Sequence, residues 1–251
     1  MRREERHVIH WGLVAGGIAG LIPLLYLSFL FVWGSWVAGP RPVPESRPAP
    51  PFLGAAIWAR AEGGTATELR PVNPVTVAKL ITCMALAEGD NDNERMTACR
   101  EVLPALRGVE YLANLHVTDQ GIKRASFRGG AGSFATLLWM TRSWTRDDFL
   151  NTMAARADFG FGWRGIEAAA RGYFGRPAGE LTLPEAAMIA SRLAALEVDP
   201  WCDSKGATAR RDITLRQMQD NGAIDEASLQ VALGQPLTFG LPPAGHKPCA
   251  E

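Results

Sequence analysis

From His7 to Pro40 the chain carries no Asp, Glu, Lys or Arg. An uncharged run of this length fits few environments. Its inner part, Trp11 to Val37, is long enough to cross a bilayer whose hydrocarbon core is about 30 Å thick, with some tilt. Trp11 stands at one end and Trp33 and Trp36 at the other, where interfacial aromatic anchors sit. Pro23 lies mid-span and kinks such a helix, which membrane segments tolerate. A cleaved secretory signal is the competing reading, but its apolar region is normally only about 7 to 15 residues. The run is therefore read as a retained transmembrane helix over 11–37, preceded by a cytoplasmic tail over 1–10. The leading MRREER carries three arginines, against Arg41 and Arg47 beyond the span. That bias places the N-terminus inside and the rest of the chain outside the cytoplasm.

The cysteines agree with an oxidising compartment. Cys83, Cys99, Cys202 and Cys249 all lie beyond the span, and none forms a C-x-x-C pair. The simplest pairing is Cys83 with Cys99 and Cys202 with Cys249; four buried thiols are the alternative. Lys and Arg number 26 and Asp and Glu number 26, so no basic excess invites nucleic acid. Gly39 to Gly54 holds six prolines, which favour extended, semi-rigid backbone. Residues 38–54 read as a linker, and residues 55–251 as one domain.

That domain reads as mainly helical. Gly63-Gly64 suggests a short strand pair within AAIWARAEGGTATELRPV. Asn73 followed by Pro74 starts a helix running to Leu86, with Gly89 available to end it. A further helix falls within Glu94 to His116 and restarts near Pro104, and FATLLWMTRSW and DDFLNTMAARA are two more. Ile166, Ala169, Ala170, Tyr173 and Phe174 trace one apolar helix face. Gly175 closes it as a left-handed cap. Thr182 and Glu185 form a capping box, opening a helix through AAMIASRLAALE. ATARRDITLRQMQDNG is another helix, and Asp225 caps a last short one.

Thr145 to Pro200 (TRDDFLNTMAARADFGFGWRGIEAAARGYFGRPAGELTLPEAAMIASRLAALEVDP) resembles the glycosyltransferase domain of the peptidoglycan polymerases. These are the bifunctional penicillin-binding proteins and their monofunctional relatives, glycosyltransferase family 51. The family pattern S-K-x-E-I-L-x-x-Y-L-N-x-x-x-x-G-x-x-x-x-G-I-x-A-A-A-x-x-Y-F-G-K, then L-T-x-x-E-A-A-x-L-A, lies on this stretch without a gap. The segment ATARRDITLRQMQDNGAID is similar to the family's R-R-x-x-V-L-x-x-M-x-x-x-G-x-I. The resemblance implies a lysozyme-like helical domain on a single N-terminal transmembrane helix, in the periplasm beside the bacterial inner membrane. Its ligands would be lipid-linked peptidoglycan precursor or glycan.

The family's catalysis implies a glutamate base on the acceptor hydroxyl and cations, often with a divalent metal such as Mg, on the departing pyrophosphate. Its motifs are E-D-x-x-F-x-x-H-x-G, G-G-S-T-I-T-Q-Q-x-x-K and R-K-x-x-E. For the first, this chain offers Glu88, followed by glycine, or Glu110, with His116, Asp119 and Arg124 in order after it. Of the second, Gly132, Ser133 and Thr136 remain; Leu137 and Leu138 replace the glutamines and Thr141 the lysine. The third is missing, and Ala155 stands for the asparagine of Y-L-N. Lys123, Arg124, Arg128 and Arg142 remain as cations for a pyrophosphate. Three readings follow. One is a non-catalytic protein that needs no cofactor, binds precursor or glycan, or docks other envelope proteins. The second is a divergent active polymerase using Glu110 or Glu88. The third is a glycan-cleaving enzyme on the same lysozyme-like fold.

Overall fold

The computed structural model describes residues 25–26, 28–87, 99, 102–194 and 198–249. Most of the expected membrane span, and Glu88, lie outside the described residues. Among those described, no helix is long and apolar enough to cross a membrane.

The chain is mainly helical, as its periodicities imply. The described residues contain no strand, only an isolated antiparallel bridge between Asp158 and Arg164. The helices are α1 (28–37), α2 (Pro51–Arg60), α3 (Pro74–Ala87), α4 (Leu106–Asp119), α5 (Phe127–Ser143) and α6 (Arg146–Arg156), followed by α7 (Ile166–Phe174), α8 (Leu183–Ser191), α9 (Ser204–Asp220) and α10 (Glu226–Gly234). The chain divides into two compact units, residues 1–42 with 113–139, and residues 43–112 with 140–251.

In the first unit, α1 and α5 approach closely through a glycine. A Cβ on Gly34 would lie 2.2 Å from the Ala131 carbonyl oxygen, so only glycine admits this crossing. Trp33 stacks on Phe127 at 5.2 Å and on Phe29 at 6.0 Å, while Trp36 is exposed.

In the second unit, α8 is the hub and packs on α2 and α9. Residues Pro184 to Ser191 are all buried; Ala186, Ala187, Ala190 and Ser191 among them let the neighbouring helices come close. Ile166, Ala169, Ala170, Tyr173 and Phe174 are the buried face of α7. Gly175 ends α7 at φ 68, its N–H donating to Arg171 O at 2.9 Å. The capping box between Thr182 and Glu185 opens α8. The Tyr173 hydroxyl donates to Phe159 O at 2.7 Å, and burial pushes its pKa up to about 12. Both disulfides form in the simplest pairing, Cys83 with Cys99 and Cys202 with Cys249.

The strand pair expected around Gly63-Gly64 does not form. This stretch is instead the end of α2 and a tight turn against Trp58. Gly63 N donates to Trp58 O at 3.0 Å, and a Cβ on Gly63 would lie 2.0 Å from the Trp58 ring. Trp58 Nε1 donates to Gly64 O at 3.1 Å. The two glycines serve an indole, not a hairpin. The proline-rich stretch is tied to α6: Glu45 N donates to Thr152 Oγ1 at 3.0 Å and Ala49 N to Asn151 Oδ1 at 2.9 Å.

Candidate functional site

What is left of the Gly-Gly-Ser-Thr motif forms the first turns of α5. Gly129 is needed there: a Cβ would lie 2.2 Å from Lys123 O and 2.9 Å from Arg124 O, so the helix starts hard against the preceding turn. Ser126 Oγ caps it by accepting from Gly129 N at 3.0 Å. This arrangement leaves Lys123, Arg124 and Arg128 exposed. Gly132, Ser133 and Thr136 are buried. Thr136 Oγ1 donates to Gly132 O at 2.8 Å, within its own helix.

Beside this segment, within the first unit, lies a cleft of ≈ 330 Å³. Thr136, Ala135 and Trp139 line it from α5, and Phe31, Trp36 and Arg41 from the chain around the end of α1. The Arg41 guanidinium sits 5.8 Å from the centroid of the Trp139 ring. A cation over an indole face is attractive in itself. It also offers a ligand one ionic and one aromatic contact side by side. Of the site residues expected from sequence, only Thr136 lines this cleft. In the sequence Arg41 stands only as a charge flanking the apolar run. Trp139 was passed over, although it directly follows the Leu137-Leu138 replacement.

The rest of α5 has turned inward. Leu138 is buried, and so is Thr141 at the lysine position. Thr141 Oγ1 accepts from Val72 N at 3.3 Å, and Arg142 Nη2 donates to Val72 O at 3.2 Å. Both side chains thus serve the chain's own backbone. Only Trp144 and Thr145 separate α5 from α6, where the R-K-x-x-E segment would have to be. Thr145 is the N-cap of α6: its Oγ1 accepts from Asp148 N at 3.1 Å, and Asp148 Oδ2 accepts from Thr145 N at 2.9 Å. Thr145→Ala should lower stability by about 1 kcal/mol. The check is a lower urea midpoint with an unchanged slope.

Of the two candidate bases, Glu110 is on α4 and exposed, and belongs to the second unit. Glu88 falls outside the described residues. His116, also on α4, is buried and belongs to the first unit.

The sequence model of the transglycosylase family matches residues 114–219. That stretch includes His116, Lys123, Arg124, Arg128, Ser133 and Thr136, and begins just after Glu110. Penicillin-binding protein 1A of Rickettsia prowazekii (strain Madrid E) is 32% identical over 101 residues, which are 40% of this chain and 13% of that protein. That of Pseudomonas aeruginosa is 33% identical over 113 residues, 45% of this chain and 14% of the relative. That of Aquifex aeolicus is 38% identical over 80 residues, 32% of this chain and 11% of the relative. A crystal structure of penicillin-binding protein 1A from Haemophilus influenzae aligns over 72% of this chain and 19% of its own, at TM-score 0.37 and 20% identity. The chain thus spans only 11 to 14% of the length of these curated relatives. Within that limit the sequence resemblance holds: residues 114–219 are similar to the transglycosylase family.

Proposed function

We propose that this protein is a membrane-anchored, extracytoplasmic binder of peptidoglycan precursor or glycan, built on a lysozyme-like transglycosylase domain that no longer polymerises. The observation that carries the reading is the joint between α5 and α6. Its two residues, Trp144 and Thr145, are closed by a reciprocal cap with Asp148. The family's second glutamate and its basic neighbours have no backbone here to stand on. The transglycosylase match supports the ligand class. The charge-free run from Trp11 to Val37 supports the anchor, which would hold the domain in the plane of a lipid-linked ligand.

The cleft beside Thr136 suits such a ligand. Trp139 offers a ring face for a sugar, and Arg41 a guanidinium for a phosphate oxygen. The test uses purified full-length protein, labelled lipid-linked disaccharide-pentapeptide and a divalent metal. Saturable binding without glycan chains is expected, with Arg41→Ala and Trp139→Ala each weakening it about tenfold or more. Glycan chains that vanish in Glu110→Gln or Glu88→Gln would establish the rival reading of a divergent active polymerase.

A further inference from the structure

Four ligand-type side chains meet at the C-terminal end of the second unit. Asp199, Cys202 and His246 each place one ligand atom within 4.8 Å of the others. Cys249 is bonded to Cys202, so its sulfur is at the same point. The sequence spacing is that of two half-sites: Asp199-Pro-Trp-Cys202 and His246-Lys-Pro-Cys249 each hold a pair three residues apart. A paired spacing of this kind is how short loops present ligands to structural zinc. A search for C-x-x-C alone misses it, because each half carries one cysteine and one different donor.

The surroundings fix three of the donors in place. Asp199 Oδ1 accepts from Trp201 N at 3.1 Å, which leaves Oδ2 facing His246 Nε2 at 2.7 Å. Cys202 N donates to Asp199 O at 3.2 Å. The His246 ring lies 5.5 Å from Trp201 and 6.0 Å from Phe161, so two aromatic rings flank the imidazole. Both cysteines are exposed, so a reductant can reach the bond.

We propose that the Cys202–Cys249 disulfide and a tetrahedral zinc site are two states of this one cluster. A dithiol reductant donates two electrons and two protons to the disulfide and leaves as its own disulfide. The two thiols then release their protons to solvent as the cation binds. Two thiolates, the neutral imidazole of His246 and the carboxylate of Asp199 complete the coordination. In either state the segment carrying His246 is fastened to the one carrying Asp199. The proposal is independent of the cleft and of the ligand proposed for it.

Cobalt(II) tests it on the full-length protein. Before reduction, no thiolate-to-cobalt charge-transfer band is expected. After reduction by a phosphine, one cobalt per chain should give that band together with the strong visible bands of tetrahedral cobalt. Zinc should bleach both. Cys202→Ser should abolish them, and Asp199→Asn and His246→Ala should each weaken binding about tenfold or more. A Cys83→Ser/Cys99→Ser chain should behave as the parent does. No band after reduction, or a band unchanged in Cys202→Ser or His246→Ala, overturns the proposal.

Discussion

Gly165→Ala is expected to lower the free energy of unfolding by about 2–4 kcal/mol. Gly165 precedes α7 with φ 81 and ψ 154, a region of backbone space that side chains essentially exclude. An added Cβ would also lie 2.6 Å from the Ala155 carbonyl oxygen. That oxygen cannot retreat, because Gly165 N is held to Ala157 O at 2.8 Å and Ala155 belongs to α6. Strain and clash therefore add at one atom. Gly179→Ala is the control, because its Cβ would meet nothing within 4 Å and its effect should stay near zero. Urea unfolding of the two variants side by side decides it. Equal midpoints would mean that Gly165 is not a constrained position.

The second large effect is expected at Arg211, whose side chain is 2% exposed. Its guanidinium reaches the far end of α10, donating to Gln235 O at 2.5 Å and Leu233 O at 3.2 Å. On its other side Nε donates to Asp212 Oδ1 at 2.8 Å. A buried cation with its donors engaged on three acceptors is costly to truncate. Arg211→Ala should cost about 3 kcal/mol, and Arg211→Lys should recover only part, since an ammonium lacks the planar fork. Hydrogen exchange gives the distinguishing readout: the amides of α10 should lose protection before those of α8. Unchanged α10 exchange in Arg211→Ala would sink this account.

How much the sequence told depends on what kind of physics each position obeys. The face of α7, its Gly175 stop and the box between Thr182 and Glu185 were legible because they are local. Each is set by spacing within one helix or across one cap. The disulfides follow the simplest pairing of four cysteines, Cys83 with Cys99 and Cys202 with Cys249. Gly63-Gly64 was misread because the deciding partner, the Trp58 ring, leaves the same local signal as a hairpin turn. The site was less legible still. Glu110 fits the order of a motif, but order along a chain does not fix exposure, and the residue is exposed. Thr141 read as a lost lysine, whereas its bond to Val72 spans a distance in sequence that no pattern of neighbours encodes. The pairing of Arg41 with Trp139 is of the same kind.

The short connection between α5 and α6 also bears on how readily the chain could accept an inserted segment there. Loop closure is insensitive to length, each doubling adding only about 0.6 kcal/mol. A segment inserted at Trp144-Thr145 would therefore meet little entropic resistance. What it would have to keep is the Thr145–Asp148 reciprocity that starts α6. An insertion placed before Trp144 spares that cap, while one placed after Thr145 breaks it. The fold thus leaves a marked doorway for an insertion, and its hinge is a threonine.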